Sequence, residues 1–291
     1  MKPFQYLSPI YDFEYIRPKD LGDALRIMSR SRVKPIAGGT DLSVALKDGY
    51  RINALLDLSA LRSEMAYIKE DGHEIKIGSL TTYDEIYRSP TINAQATCLS
   101  EAAYNIGTWQ IRNLATIGGN LANASPAADG ATALMALGAS VRVVSAEAER
   151  IIPVHQVFVG PKKSSLNENE LITEISFKKA EELRSGWARI GRRNANTISV
   201  VNAAVAAHLV DKTFKSAKIA LGSVAPTPIY AGEAAKFLVG KRADEKVISM
   251  AADLAQDAAS PITDTRGTKD YRLKMVRFLT EKLLIRISGG A

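Results

Sequence analysis

With 291 residues, 46% of them hydrophobic, the chain has enough apolar material for a substantial core and two or three lobes of ordinary domain size. Its formal net charge of +7 comes from dispersed basic residues, with only short pairs such as Lys162-Lys163 and Arg192-Arg193 and no aromatic interleaving, so a solvated surface is expected and a nucleic-acid partner is not. No apolar run approaches the roughly 20 residues of a membrane span, and the lone Cys98 and the scattered His73, His155 and His208 supply neither a disulfide, an iron–sulfur ligand set nor a metal site.

The first six residues hold no apolar signal core, which places the chain in the cytoplasm. Asp20 is positioned to cap a helix whose apolar face is Leu21, Ala24, Leu25 and Met28, spaced i, i+3, i+4 and i+7. A strand over 33–37 runs into Gly38-Gly39, and a helical segment, 42–47, begins just after Asp41. Strands are predicted at 54–58 and 74–78, the second alternating polar and apolar residues. Helices follow at 82–86 and 96–106, and 109–113 leads into a second glycine-rich loop. Ala, Leu and Met between Gly130 and Gly138 predict a helix packed behind that loop, followed by a strand at 140–145.

Residues 161–170 are turn-rich, and 171–177 return to a strand pattern. A boundary near 179–185 divides a first domain, 1–180 (subdomains about 1–58 and 59–180), from a second, 181–291. In the second, strands are predicted at 187–193, 199–209 and 217–222, a Pro-containing turn at 225–228, and helices at 233–238, 243–258 and 271–287. The fold class is α+β.

The informative motifs are two glycine segments. The first is Lys34, Pro35, Ile36, Ala37, Gly38, Gly39, Thr40, Asp41 and Leu42. The second runs from Ala115 through Gly118-Gly119-Asn120 to Asp129. A single Gly-Gly pair is ordinary turn chemistry. Two of them, the second in a stretch without a charged side chain from Asn113 to Ala128 and ending on a carboxylate, suit close approach by a dinucleotide. Gly-x-Gly-x-x-Gly, phosphate-loop and nucleophile-elbow motifs are absent. From the residues alone, a free-standing oxidoreductase that carries the dinucleotide itself and a basic nucleic-acid-binding module stay open as alternatives.

At these segments the chain resembles the FAD-binding middle subunit of molybdenum hydroxylases, the xanthine dehydrogenase, carbon monoxide dehydrogenase and aldehyde oxidoreductase family. The resemblance is carried by residues 37–42, 110–120 and 125–129, with weaker support from 170–175 and 225–228. It implies a para-cresol methylhydroxylase-type FAD-binding fold of two α+β subdomains, then a C-terminal domain with a small antiparallel sheet and helices. It further implies that residues 34–42 wrap the FAD diphosphate, with main-chain N–H groups of the glycine turn supplying most hydrogen bonds. Ala115, Thr116, Gly119, Asn120 and Asn123 then contact the diphosphate, ribityl chain or flavin edge from the other side. Ala128 closes this loop, and Asp129 binds a cofactor hydroxyl. Leu171 and Ile172 resemble the pair that packs near the flavin or adenine, Ile106 supplies an apolar wall, and Arg189 lies near the pyrimidine side of the flavin.

By the same resemblance no residue here is a general acid, base or nucleophile. A large partner subunit carries a molybdenum pterin cofactor and a small one carries two [2Fe–2S] clusters, in a dimer of heterotrimers. Electrons collected on FAD pass to NAD+ or another acceptor. Thr40-Asp41 is closer to the purine, aldehyde and heterocycle branches of the family than to the carbon monoxide branch.

Overall fold

A computed structural model describes residues 12–30, 32–180 and 182–289. The first six residues, on which the expectation about a signal segment rests, lie outside the described residues. Among the described residues the chain builds three sheets and a small two-stranded ribbon.

The first lobe runs β1 (Glu14–Ile16), α1 (Leu21–Arg30), β2 (Lys34–Ile36), α2 (Leu42–Lys47) and β3 (Ala54–Asp57), followed by α3 (Arg62–Met65). Its strands are parallel in the order β1-β3-β2. Asp20 Oδ1 accepts from the Asp23 N–H at 2.7 Å, as the capping pattern predicts, and Ala24, Leu25 and Met28 pack with Leu56 and Leu58. All four residues of the central β3 are buried, as expected for a parallel strand covered on its faces. In contrast, α2 buries no side chain.

The second lobe contains β4 (Ile68–Asp71), β5 (Glu74–Gly78), α4 (Tyr83–Arg88), α5 (Pro90–Gln95), α6 (Thr97–Asn105), α7 (Trp109–Arg112), α8 (Ile117–Ala122), α9 (Asp129–Leu137), β6 (Ser140–Val144), β7 (Glu149–Pro153), β8 (Phe158–Gly160), β9 (Lys163–Ser164) and β10 (Leu171–Lys178). Its antiparallel sheet has the order β4-β5-β10-β6-β7. All nine residues of α9 are buried, the signature of a helix apolar on every side because it is enclosed on every side. It ends at Gly138, whose φ of 69° gives the left-handed cap. The lone thiol, Cys98, is fully buried beside it, with Sγ 3.8 Å from the Ala133 carbonyl, and burial pushes its pKa up to about 12.

The third lobe has the antiparallel sheet β11 (Leu183–Ile190), β12 (Val201–Val210), β13 (Thr213–Gly222) and β14 (Ile229–Tyr230), then α10 (Gly232–Leu238), α11 (Glu245–Asp257) and α12 (Lys269–Ile287). One sheet face packs under the helices through Ala203, Val205, Ile219 and Leu221, while the other meets α9 through Trp187, Ala204, Ala206 and Ala220. With both faces of β12 covered, its sequence reads as a nearly unbroken apolar run, and its alanines let the α9 backbone approach closely.

The structure differs from the sequence reading in places with identifiable causes. The lead-in at 109–112 and the Gly-Gly part of the second segment, expected as a loop, are two short helices, because Thr108 and Thr116 each accept an N3 N–H and start a turn. Strand β11 begins at Leu183, four residues earlier than expected, and stops at Ile190, since it pairs with β12 along its whole length.

Trp187 ties lobe three to lobe two. Its indole N–H donates to Thr132 Oγ1 at 3.1 Å and its backbone N–H to Glu101 at 2.7 Å. Trp187→Ala is expected to cost about 3–5 kcal/mol from the lost burial and the cavity left behind. Urea unfolding followed by circular dichroism checks this through a lowered midpoint.

Candidate functional site

The first glycine segment leaves the edge strand β2 and turns sharply at Gly39, whose φ of 69° suits glycine. Gly38 has a different requirement, since a Cβ there would overlap the carbonyl of Leu114, just beyond α7. The two glycine segments, more than 70 residues apart in sequence, therefore touch backbone to backbone. The N–H groups of Gly38, Gly39, Thr40 and Asp41 donate to no acceptor among the described residues, and Asp41 makes no side-chain cap to α2. A turn with several unspent N–H groups is a site for an anion. Lys34 and Asp41 are exposed, whereas Pro35, Ile36, Ala37, Gly38, Gly39, Thr40 and Leu42 are half-buried.

The second segment presents different chemistry. The N–H groups of Ile117, Gly118 and Gly119 donate to Thr81 O (3.0 Å), Ser79 O (2.9 Å) and Thr116 Oγ1 (3.1 Å), and that of Asn120 to Thr116 O (3.0 Å). The main-chain donors at the start of α8 are thus spent inside the protein and are not on offer to an anion. Gly118 is glycine because a Cβ would lie 2.6 Å from Ser79 Cβ. Gly119 is exposed, and its missing Cβ would meet nothing nearby except Thr116 Oγ1 at 2.9 Å. Beside it, Asn120 Oδ1 is buried with no partner among the described residues, Asn123 is half-buried, and Ala115 is half-buried with its carbonyl accepting from Tyr83 N–H at 3.0 Å.

Asp129, just after the buried Ala128, opens α9 and is itself buried. Its Oδ1 accepts from Ser199 Oγ at 2.6 Å and Asn202 Nδ2 at 2.8 Å, and its Oδ2 faces Arg189 Nη1 at 3.4 Å. Asp129 and Arg189, expected separately as site residues, are therefore brought together. Burial pushes the Asp129 carboxyl up to about 6, against the opposing pull of Ser199, Arg189 and Asn202.

Ile106 is half-buried against the second-lobe core, and the next residue, Gly107, accepts from Asn196 N–H of the third lobe at 3.4 Å. Leu171 and Ile172 are adjacent strand residues and face opposite ways. Leu171 joins the first-lobe core and Ile172 the second, so the expected pair does not share a face. Ser199 and Asn202 were not among the predicted site residues. Their signal in the sequence is a polar residue, Asn202, inside the otherwise apolar run 200–207.

Residues 11–177 match the family described as the FAD binding domain in molybdopterin dehydrogenase, and residues 188–287 match the CO dehydrogenase flavoprotein C-terminal domain. The chain belongs to the molybdenum hydroxylase flavin subunits. It is 30% identical over 275 residues to the glyceraldehyde dehydrogenase medium chain of Sulfolobus acidocaldarius, covering 93% of this chain and 96% of that one. It is also 30% identical over 283 residues to the carbon monoxide dehydrogenase medium chain of Afipia carboxidovorans, covering 96% and 98%. The fold superposes on a solved carbon monoxide dehydrogenase of Hydrogenophaga pseudoflava with a TM-score of 0.92 at 29% identity, covering 96% of this chain and 98% of that one.

FAD is accordingly the cofactor of this flavin subunit, which is part of an oxidoreductase. The geometry fits a flavin dinucleotide, with unspent N–H groups at 38–41 for its anionic diphosphate, an open backbone face at Gly119, and the unpartnered Asn120 Oδ1 for a hydroxyl.

The Asp129 carboxyl gives this flavin subunit a testable pH response. Its folded pKa lies above its ordinary value of 3.8, so between about 4 and 6 the folded chain holds a proton that the unfolded chain has lost. The associated stability is fully present below the lower value and is lost as pH rises through the upper one, at up to about 1.4 kcal/mol per unit. In the FAD-free chain, Asp129→Asn is expected to flatten this part of the curve of unfolding free energy against pH, measured by denaturant titration at a series of pH values.

Proposed function

We propose that this flavin subunit carries electrons out of a molybdenum hydroxylase complex, receiving them from the [2Fe–2S] clusters of a small partner subunit and delivering them to NAD+ or another acceptor. The observation that carries this reading is the meeting of the two glycine segments, one with unspent backbone donors and the other with an open face and an unpartnered side-chain oxygen. When bound, FAD supplies the two-electron chemistry that links one-electron carriers to a hydride acceptor.

The protein's own residues bind and orient. Gly38, Gly39, Thr40 and Asp41 offer N–H groups to the diphosphate, while Gly119, Asn120 and Asn123 approach the ribityl chain and flavin edge. Asp129 accepts from a cofactor hydroxyl. Arg189, held at 3.0 Å from the Thr197 carbonyl and 3.4 Å from Asp129, keeps a positive charge at the same end of the site and favours negative charge developing there.

Substrate oxidation takes place on a large partner subunit with a molybdenum pterin cofactor, the whole assembling as a dimer of heterotrimers. Among the described residues no cluster of three or more His, Cys, Asp and Glu could hold a metal ion. No helix of the described residues is long and apolar enough to cross a membrane, and the cytoplasm is the proposed location. The flavin domain is taken as 1–180, with subdomains of about 1–58 and 59–180, and the C-terminal domain as 181–291.

Two measurements test this function. The purified chain is expected to show flavin absorption and to release FAD at close to one per chain on acid or heat treatment. A colourless chain that takes up no added FAD contradicts the reading. Gly119→Asp is expected to abolish FAD retention with an unchanged far-ultraviolet spectrum, because an exposed carboxylate then occupies space that the ribityl chain takes and repels the anionic cofactor. Normal flavin content in that variant removes the second segment from the site.

A further inference from the structure

Asp129 belongs to the lobe that carries the second glycine segment, yet all three side chains that donate to its carboxylate come from the third lobe, and the two shorter bonds arrive on one oxygen. Oδ1 accepts Ser199 Oγ at 2.6 Å and Asn202 Nδ2 at 2.8 Å, whereas Oδ2 has only the longer approach of Arg189 Nη1 at 3.4 Å. Two short bonds on Oδ1 fix the rotation of the carboxylate. Oδ2, able to accept two donors, is the oxygen with capacity to spare.

The third lobe gives up stability to make this arrangement. Ser199 and Asn202 are both fully buried, so neither reaches a ligand directly. Asn202 lies on a sheet face otherwise occupied by Ala204 and Ala206, and its own Oδ1 is buried without a partner. On the neighbouring strand Gly222 stands in register with Asn202, and a Cβ at Gly222 would come within 2.5 Å of Asn202 Oδ1. An unpaired buried carbonyl and a strand glycine are both unfavourable for folding. Both features serve the placement of one amide, and that amide serves one carboxylate oxygen.

We propose that Ser199 and Asn202 are positioning residues of the FAD site, through which the C-terminal domain turns the Asp129 carboxylate so that Oδ2 faces a cofactor hydroxyl. This rests on the assignment of FAD to the cleft. The C-terminal domain thereby sets the affinity of a site whose glycine segments it does not contribute.

The test is a double-mutant cycle read as the FAD dissociation constant of the purified full chain after flavin removal and titration with FAD. Ser199→Ala and Asn202→Ala are each expected to weaken FAD binding about tenfold, the effect of losing roughly one charge-assisted hydrogen bond. On an Asp129→Asn background neither is expected to add more than about twofold, because the group they position is already gone. The visible circular dichroism of bound flavin is expected to change in Ser199→Ala, which a purely structural loss does not produce.

Ser199→Ala removes a single oxygen and guards against misfolding of the larger truncation. Gly222→Ala, which leaves all three polar side chains in place but crowds the Asn202 amide, is expected to weaken binding as well. Equal fold-changes on the wild-type and Asp129→Asn backgrounds, or an unchanged dissociation constant in Ser199→Ala, overturn the proposal. Failure of the wild-type chain to bind FAD at all overturns the flavin assignment instead.

Discussion

The site depends on a missing side chain at Gly38. Any Cβ at that position would occupy the space of the Leu114 carbonyl, so the bare backbone is what allows the two glycine segments to lie against one another. The neighbouring Gly118 does the same against Ser79, seating α8 on the edge of the second lobe. These contacts bring the first turn, with its N–H groups that find no acceptor among the described residues, against the start of the second segment at Leu114 and Ala115. Four glycines in two Gly-Gly pairs thus have separate roles: Gly38 and Gly118 permit close packing, Gly39 permits a left-handed turn, and Gly119 leaves space.

The same economy of side-chain volume joins the third lobe to the second. Helix α9 is enclosed on all sides, and the strand facing it offers Ala204 and Ala206 in place of larger residues. Close approach brings Ser199 and Asn202 within hydrogen-bond reach of Asp129, at the start of α9. The short backbone bond from Ser223 N–H to the Pro126 carbonyl, 2.9 Å, closes the same seam one turn away. Packing between lobes and polar chemistry at the site are therefore set by one surface.

What could be read in the sequence follows a physical division. Elements with a complete local signal were legible: α1 with its Asp20 cap and apolar stripe, β5 with its alternation, and α9 with its apolar composition and terminal Gly138. The short strands β4, β8, β9 and β14 carry too few residues to show a period, and they exist because a neighbour supplies their hydrogen bonds. Helix α7 was hidden by its single turn and α8 by glycine and small residues, although Thr108 and Thr116 stand where a capping threonine belongs. The two glycine segments were legible as a joint feature, but which of their N–H groups are free depends on acceptors at Ser79 and Thr81, some 40 residues upstream. Strand alternation alone separates Leu171 from Ile172. The partners of Asp129 lie 70 and 73 residues away, a distance no local pattern spans.

Cys98 lies beside α9, sealed from solvent with its thiol held protonated far above neutral pH. The thiolate is the form that peroxides and disulfides attack, and at neutral pH a group with a pKa near 12 supplies almost none of it. A subunit of an oxidoreductase works where oxidants are at hand. Having only one sulfhydryl, and keeping it inert behind the helix that Asp129 opens, leaves this subunit without thiol oxidation as a side reaction in its own chain.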